Sequence, residues 1–154
     1  GIQALDLIGR KVARDGGGAL NTLLGQMKET QASVAKQSGV SFKALAAALH
    51  ESIEAVTTAG DYIVANYGKD VRNVAVGAVP FLRLLGIVSG GWMMARAALA
   101  AQAKIGAGDT DPFYPAKINT AHFYADHVMA AASGLAKEVV QGGASALALD
   151  DVLF

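Results

Sequence analysis

Between Asp70 and Ile105 the chain is helical in composition yet apolar on nearly every face. A helix of that kind is stable in water only as the central member of a packed bundle. Pro80 falls inside it and is expected to kink or divide the segment, because proline lacks a backbone donor and crowds the preceding turn. Gly86 and Gly90 lie four residues apart, a spacing that lets a neighbouring backbone come close. The most apolar run, Leu84 to Ala95, is bracketed by Arg83 and Arg96 and is twelve residues long, short of the about 20 needed to cross a bilayer. No membrane span is expected, and the segment reads as a buried core helix.

Helical patterning continues on both sides. Ile2, Leu5, Ile8 and Val12 recur at three- and four-residue steps, with Asp6, Arg10 and Lys11 on other faces, and the Asp15-Gly16-Gly17-Gly18 run breaks that helix. A second helix turns Leu20, Leu23, Leu24, Met27 and Val34 inward and stops at Ser38-Gly39. Ser41 is placed to cap a third, whose Phe42, Leu45, Leu49, Ile53, Val56 and Ile63 share one side, with Gly68 as a left-handed terminator. Gly106 to Pro115 reads as a loop. The last helix carries Ile118, Ala121, Ala125, Val128, Ala132, Leu135 and Val139 in an unbroken stripe that Gly142-Gly143 ends, and the tail ASALALDDVLF is ambiguous. With no strand-like alternation and no repeat, the expected architecture is an all-α antiparallel helical bundle of about four main helices plus a leading partial helix. That leading helix has polar and apolar faces but no capping residue to start it.

Composition closes off several kinds of function. The 154 residues are 53% hydrophobic and 17% charged, with 13 basic and 13 acidic side chains, so no long-range field attracts phosphates and nucleic acid is not an expected partner. The absence of cysteine removes disulfides, thiolate nucleophiles and cysteine-ligated zinc, and fits a reducing cytoplasm. The first eleven residues contain both signs of charge and no signal-peptide hydrophobic stretch.

The polar residues yield few chemical constellations. His122 and Asp126 are one helical turn apart, but His127 points elsewhere and spacing supplies no third ligand, so no metal is expected. His122 fits the edge of the apolar stripe with hydrogen-bonded ring nitrogens, and His50 with Glu54 fits a solvated surface pair. The Asp15 to Ala19 stretch could expose amides to a phosphate at a helix N-terminus, yet it lacks the lysine and hydroxyl of a P-loop and reads as a helix break. Ser89 is outside any nucleophile-elbow spacing. Glu51 with Glu54, and Asp150 with Asp151, are the close carboxylate pairs, and both read as surface. Trp92, Met93 and Met94 suit core packing more than a pocket lining. No catalytic, cofactor-binding or metal-ligating residue is assigned to this chain.

Two stretches carry a family resemblance. GIQALDLIGRKV, from Gly1 to Val12, resembles the helix that follows the catalytic glutamate in a bacterial branch of the acyl-CoA dehydrogenases, E-G-T-N-G-I-Q-A-L-D-L, with Gly1, Ile2 and Gln3 on its I-Q end. Pro80 to Ala98 with Asp111 to Ala130 is similar to the extra C-terminal helical domain of the large multidomain members, including the 3-methylmercaptopropionyl-CoA dehydrogenase type. Phe81, Leu82, Leu84, Gly86, Trp92 and Ala95 fit the F-L-x-L-x-G-x-x-x-x-x-W-x-x-A pattern. Phe113, Tyr114, Lys117, Ala121, Phe123 and Tyr124 fit the F-Y-x-x-K-x-x-x-A-x-F-Y segment.

The resemblance implies a parent flavoenzyme of fatty acid metabolism that oxidises an acyl-CoA thioester to its 2,3-enoyl product. In it a glutamate takes the alpha proton and FAD accepts hydride from the beta carbon. It places that glutamate just upstream of Gly1, so that residues 1–15 end the helix after the catalytic motif and residues 16–154 form the C-terminal bundle. Gly1 stands where many members have a glutamine that reaches the cofactor, so no FAD contact carries over. The expected partners are the upstream domains of the same polypeptide, the parent's acyl-CoA substrate, and a second copy in a dimeric parent, with no FAD on this stretch alone. The competing expectation is a self-contained helical module that binds a protein or a small apolar ligand.

Overall fold

The computed structural model describes residues 1–148, and among them there is no strand. Helix α1 (Ile2–Asp6) runs directly into a π-helical segment, Leu7–Ala13. Then follow α2 (Gly18–Ala35), α3 (Val40–Asn66), α4 (Val71–Val76), α5 (Ala78–Gly106) and α6 (Phe113–His127). A single 3₁₀ turn, Met129–Ala131, leads into α7 (Ala132–Ala146). The all-α bundle is as expected. Helix α5 packs against α1, α2, α3, α6 and α7, which makes it the central element.

The N-terminal helix departs from a plain α stripe. Ala4, Ile8 and Val12, each four residues apart, are buried, whereas Ile2 and Leu5 are 87% and 48% exposed. The α-helical repeat of 3.6 makes a four-residue stripe drift around the axis, and the wider π turn takes up that drift. Gly9 lies in that turn beneath the Tyr67 hydroxyl, where a Cβ has no room.

Several helix ends also differ from their local signals. Gly16 and Gly17 have φ of 64° and 85°, so the glycine run does break the chain, but Gly18 already belongs to α2. Helix α3 is capped by Gly39 at φ 105°, not by Ser41, which sits inside the first turn. The six inward residues expected on α3 are all buried. At its other end Tyr67 is still right-handed at φ −55°, and Gly68 is not among the positive-φ glycines, so no left-handed terminator is used.

Pro80 neither kinks nor divides its segment. The division falls at Gly77, and Pro80 is the third residue of α5, where an amide has no helical acceptor to lose. Gly77 suits that position because a Cβ would lie 3.1 Å from both Cα and O of Val139 on α7, a tight contact that the α7 backbone would have to yield to. Gly143 meets Asn73 on α4 in the same way. The close backbone approach expected at Gly86 and Gly90 is therefore found at Gly77 and Gly143. Gly90 receives the Tyr124 side chain, and among the described residues none outside its own stretch of helix comes within 4 Å of a Cβ at Gly86.

The stripe from Ile118 to Val139 is divided between α6 and α7 by the 3₁₀ turn, and α7 continues through Gly142-Gly143 to Ala146. Asp150 and Asp151 lie outside the described residues. Helix α5 has 29 residues and is by length and composition long enough to cross a membrane, so the twelve-residue run alone does not exclude a span. Phe81, Leu84, Val88, Ala95, Ala98 and Ala101 nevertheless form a buried stripe along it.

The core falls into two clusters. One joins α1, the π segment, α2, the C-terminal half of α3, α4, the first half of α5 and α7, with Ile8, Met27, Ile53, Ile63, Phe81 and Leu84 at its centre. The other joins the end of α2, the start of α3, the second half of α5 and α6, and half of its buried residues are the alanines Ala46, Ala95, Ala98, Ala121 and Ala125.

Candidate functional site

Three places collect polar side chains. The first is a groove of about 500 Å³ between α3 and α7, with His50, Glu51 and Glu54 on one wall, Ser133, Lys137 and Gln141 on the other, and Ala55, Ala136 and Val140 beneath. Helical spacing puts His50, Glu51 and Glu54 on one face of α3. His50 and Glu54 do not pair as expected: Glu54 faces Lys28 of α2 at 3.8 Å, with both side chains more than half exposed. Two carboxylates at its mouth make the groove unsuited to a diphosphate.

The second is an open groove of about 700 Å³ beside the N-terminal helix, lined by Ile2, Gln3, Leu5, Asp6, Gly9, Arg10, Arg14 and Tyr67. Asp6 holds Arg10 at 3.2 Å. Near it, the glycine run proves not to be a phosphate cradle. Asp15 Oδ1 accepts from the Gly17 amide at 3.1 Å and Oδ2 from the Ala19 amide at 2.8 Å, so the N-terminus of α2 already holds the chain's own anion.

The third joins residues that the sequence kept apart. Ser41 Oγ lies 3.2 Å from His122 Nδ1, and His122 Nε2 lies 3.3 Å from Asp126 Oδ2. A hydroxyl, an imidazole and a carboxylate thus stand in line, and they fasten the first turn of α3 to α6. The three side chains are 81 and 4 residues apart, so Ser41 was legible only as a cap and His122 only as a polar residue on an apolar stripe. That misplaced polarity was the usable signal, because a half-buried ring nitrogen needs a partner. His127 turns away and packs its ring on Phe123 at 4.4 Å. No third metal ligand joins His122 and Asp126 among the described residues.

Other polar groups tie helices together. The Trp92 indole donates to Thr30 Oγ1 at 2.8 Å, with the Arg96 guanidinium over its ring. Trp92 and Met94 are half-buried and pack against the edges of the core clusters instead of inside them, and Met93 faces outward, so none of the three is the fully buried core residue expected. Ser89 is half-buried and packs in α5. Tyr124 donates to the Ile87 carbonyl at 3.1 Å, and burial raises its pKa. The Tyr114 pKa is also raised, first by desolvation and then by a hydrogen bond and charge from Asp109.

Comparison with known proteins decides the family. The family described as acetyl-CoA dehydrogenase C-terminal like matches residues 23–150. The chain belongs to this family. It is 35% identical over 146 residues to the 3-methylmercaptopropionyl-CoA dehydrogenase of Ruegeria pomeroyi, covering 95% of this chain and 25% of that protein. It is 32% identical over 135 residues to the broad-specificity linear acyl-CoA dehydrogenase FadE5 of Mycobacterium tuberculosis, covering 83% and 22%. The chain thus spans about a quarter of the length of the curated relatives it matches.

Proposed function

We propose that this acyl-CoA dehydrogenase C-terminal domain is the assembly portion of an FAD-dependent enzyme that oxidises acyl-CoA to 2,3-enoyl-CoA. Chemistry in this reading belongs to upstream domains that carry the glutamate base and the flavin, and the bundle is inactive alone. The supporting observation is the match to two dehydrogenases of which the chain represents only about a quarter. Residues 1–15 then end the helix of the catalytic portion and residues 16–154 form the added domain. Ala4 of α1 and Ile8 and Val12 of the π segment, buried in the first core cluster, join the two. The parent is read as a cytoplasmic homodimer, with α5 as its core helix and not a membrane span.

The test is an immunoblot of source extract with an antibody to these residues, followed by assay of the intact protein. A band several-fold above 15.7 kDa, with bound flavin and bleaching of its absorbance by an acyl-CoA, is expected. A native product at 15.7 kDa, or an intact flavoprotein that no acyl-CoA reduces, overturns the reading.

A further inference from the structure

We propose that the apolar slot between the end of α5 and the start of α6 binds a single-chain amphiphilic anion, a hydrocarbon body with a carboxylate head. The slot has a volume of about 320 Å³, with Ala97, Ala100 and Ala101 of α5 as its floor and Phe113 and Tyr114 of α6 as its wall. Lys104 and Lys117 complete its lining, one from each helix. The F-Y-x-x-K pattern of the sequence is thus assembled here, and neither of the two core clusters takes up those three residues.

Helical spacing makes the shape. Positions 97, 100, 101 and 104 follow three- and four-residue steps and share one face of α5, and 113 and 117 are one turn apart on α6. The alanines leave a floor with no side chain beyond Cβ, while Phe113 and Tyr114 stand edge to face with centroids 5.7 Å apart. Phe113 is 57% exposed, so an aromatic ring stands in water beside an apolar floor. A hydrocarbon chain laid along that floor removes both surfaces from water. The volume is at the small end of ligand cavities, which admits one short chain and not the paired chains of a bilayer lipid.

Charge selects the head group. Among the described residues neither Lys104 nor Lys117 is within ion-pair distance of a carboxylate, the pairs formed being Asp6 with Arg10, Lys28 with Glu54 and His122 with Asp126. Lys117 lies instead over the Phe113 ring, 5.2 Å from its centroid, at the edge of the apolar surface. The nearby acids are turned to the backbone: Asp109 accepts from the Asp111 amide at 3.1 Å, and Asp111 from the Phe113 amide at 2.9 Å. The α3/α7 groove has the opposite character, with Glu51 and Glu54 at its mouth. Two ammonium groups beside an apolar floor are complementary to a carboxylate at the end of a hydrocarbon chain.

The experiment is photolabelling of the intact polypeptide with decanoate that carries a diazirine in its tail, the adducts being located by mass spectrometry. Within residues 1–154, adducts are expected on the peptides carrying Ala97 to Lys104 and Phe113 to Lys117, and unlabelled decanoate should compete them away. Lys104→Gln combined with Lys117→Gln should lower this labelling by about tenfold or more, the worth of one charge-assisted hydrogen bond, while Lys69→Gln at an exposed site elsewhere leaves it unchanged. Ala100→Phe fills the slot without altering its charge and should lower labelling as far, so space and charge are read separately, and an unchanged urea midpoint shows that each variant is folded. Adducts in this stretch that avoid the slot, or that survive all of these substitutions, overturn the proposal. Equal labelling by the corresponding decanol probe overturns the choice of an anion, and labelling that needs anionic vesicles overturns it in favour of a membrane surface.

Discussion

The two halves of the core are built on different principles. The first cluster is filled by Ile8, Met27, Ile53, Ile63, Phe81 and Leu84, large side chains that are at most 1% exposed. Its stability follows from apolar area removed from water. The second relies on alanines of α5 and α6 whose small size brings the two helices together, with Phe42, Leu45 and Leu49 along one edge. Less area is buried per residue there, and directional bonds add to it: Ser41 to His122 and Tyr124 to Ile87. One half is held by volume, the other by proximity.

Mutations should separate these cases. Phe81→Ala in the first cluster is expected to cost about 3–5 kcal/mol through lost transfer energy and a cavity, measured by urea unfolding of this chain. A loss below about 1 kcal/mol would mean that the site collapses freely and the contrast is wrong. Ala98→Leu in the second cluster should cost about 1–3 kcal/mol by forcing α5 from its neighbours. The same substitution at exposed Ala103 is the control, and equal effects at the two positions would deny that close approach matters.

Tyr124→Phe should cost about 1 kcal/mol at neutral pH by removing the hydroxyl that Ile87 accepts. Burial raises the Tyr124 pKa above 10.0, so the folded state favours the protonated phenol. Its contribution is complete below the unfolded value and is lost as pH rises through the higher folded value. Unfolding curves from pH 8 to 11 should show a steeper alkaline loss in the parent chain than in the variant, and parallel curves would remove Tyr124 from this role. The smallest effect belongs to Lys28→Ala, within about 1 kcal/mol because its pair with Glu54 is solvated. A larger loss would show that the α3/α7 groove is structurally coupled to α2.

Legibility in the sequence followed the same division. On α3 the hydrophobic period alone located six core residues, since large apolar side chains at helical spacing have few other places to go. The boundary between α6 and α7 was hidden because Val128 to Ala131 contains neither glycine nor proline, and the turn is set by Met129 entering the space above Gly91 on α5. Local capping rules failed at Ser41, whose hydroxyl is engaged by a histidine from another helix. Pro80 misled for the opposite reason: a steric demand between α4 and α7 placed the break three residues earlier, at Gly77. In the candidate sites, the residue types were visible and their partners were not, because those partners come from distant helices.

The π segment also sets an orientation. Each residue of an α-helix turns the following side chain by about 100°, so one residue more or less in a widened turn re-aims everything on its far side. Leu7–Ala13 therefore acts as an angular adjuster between Val12, anchored in the bundle, and Ile2 and Leu5, which face outward. A deletion within it could leave every buried contact of α2 to α7 intact and still rotate any helix continued before Ile2 away from its neighbours. The bundle would fold, and any such preceding helix would be out of phase with it.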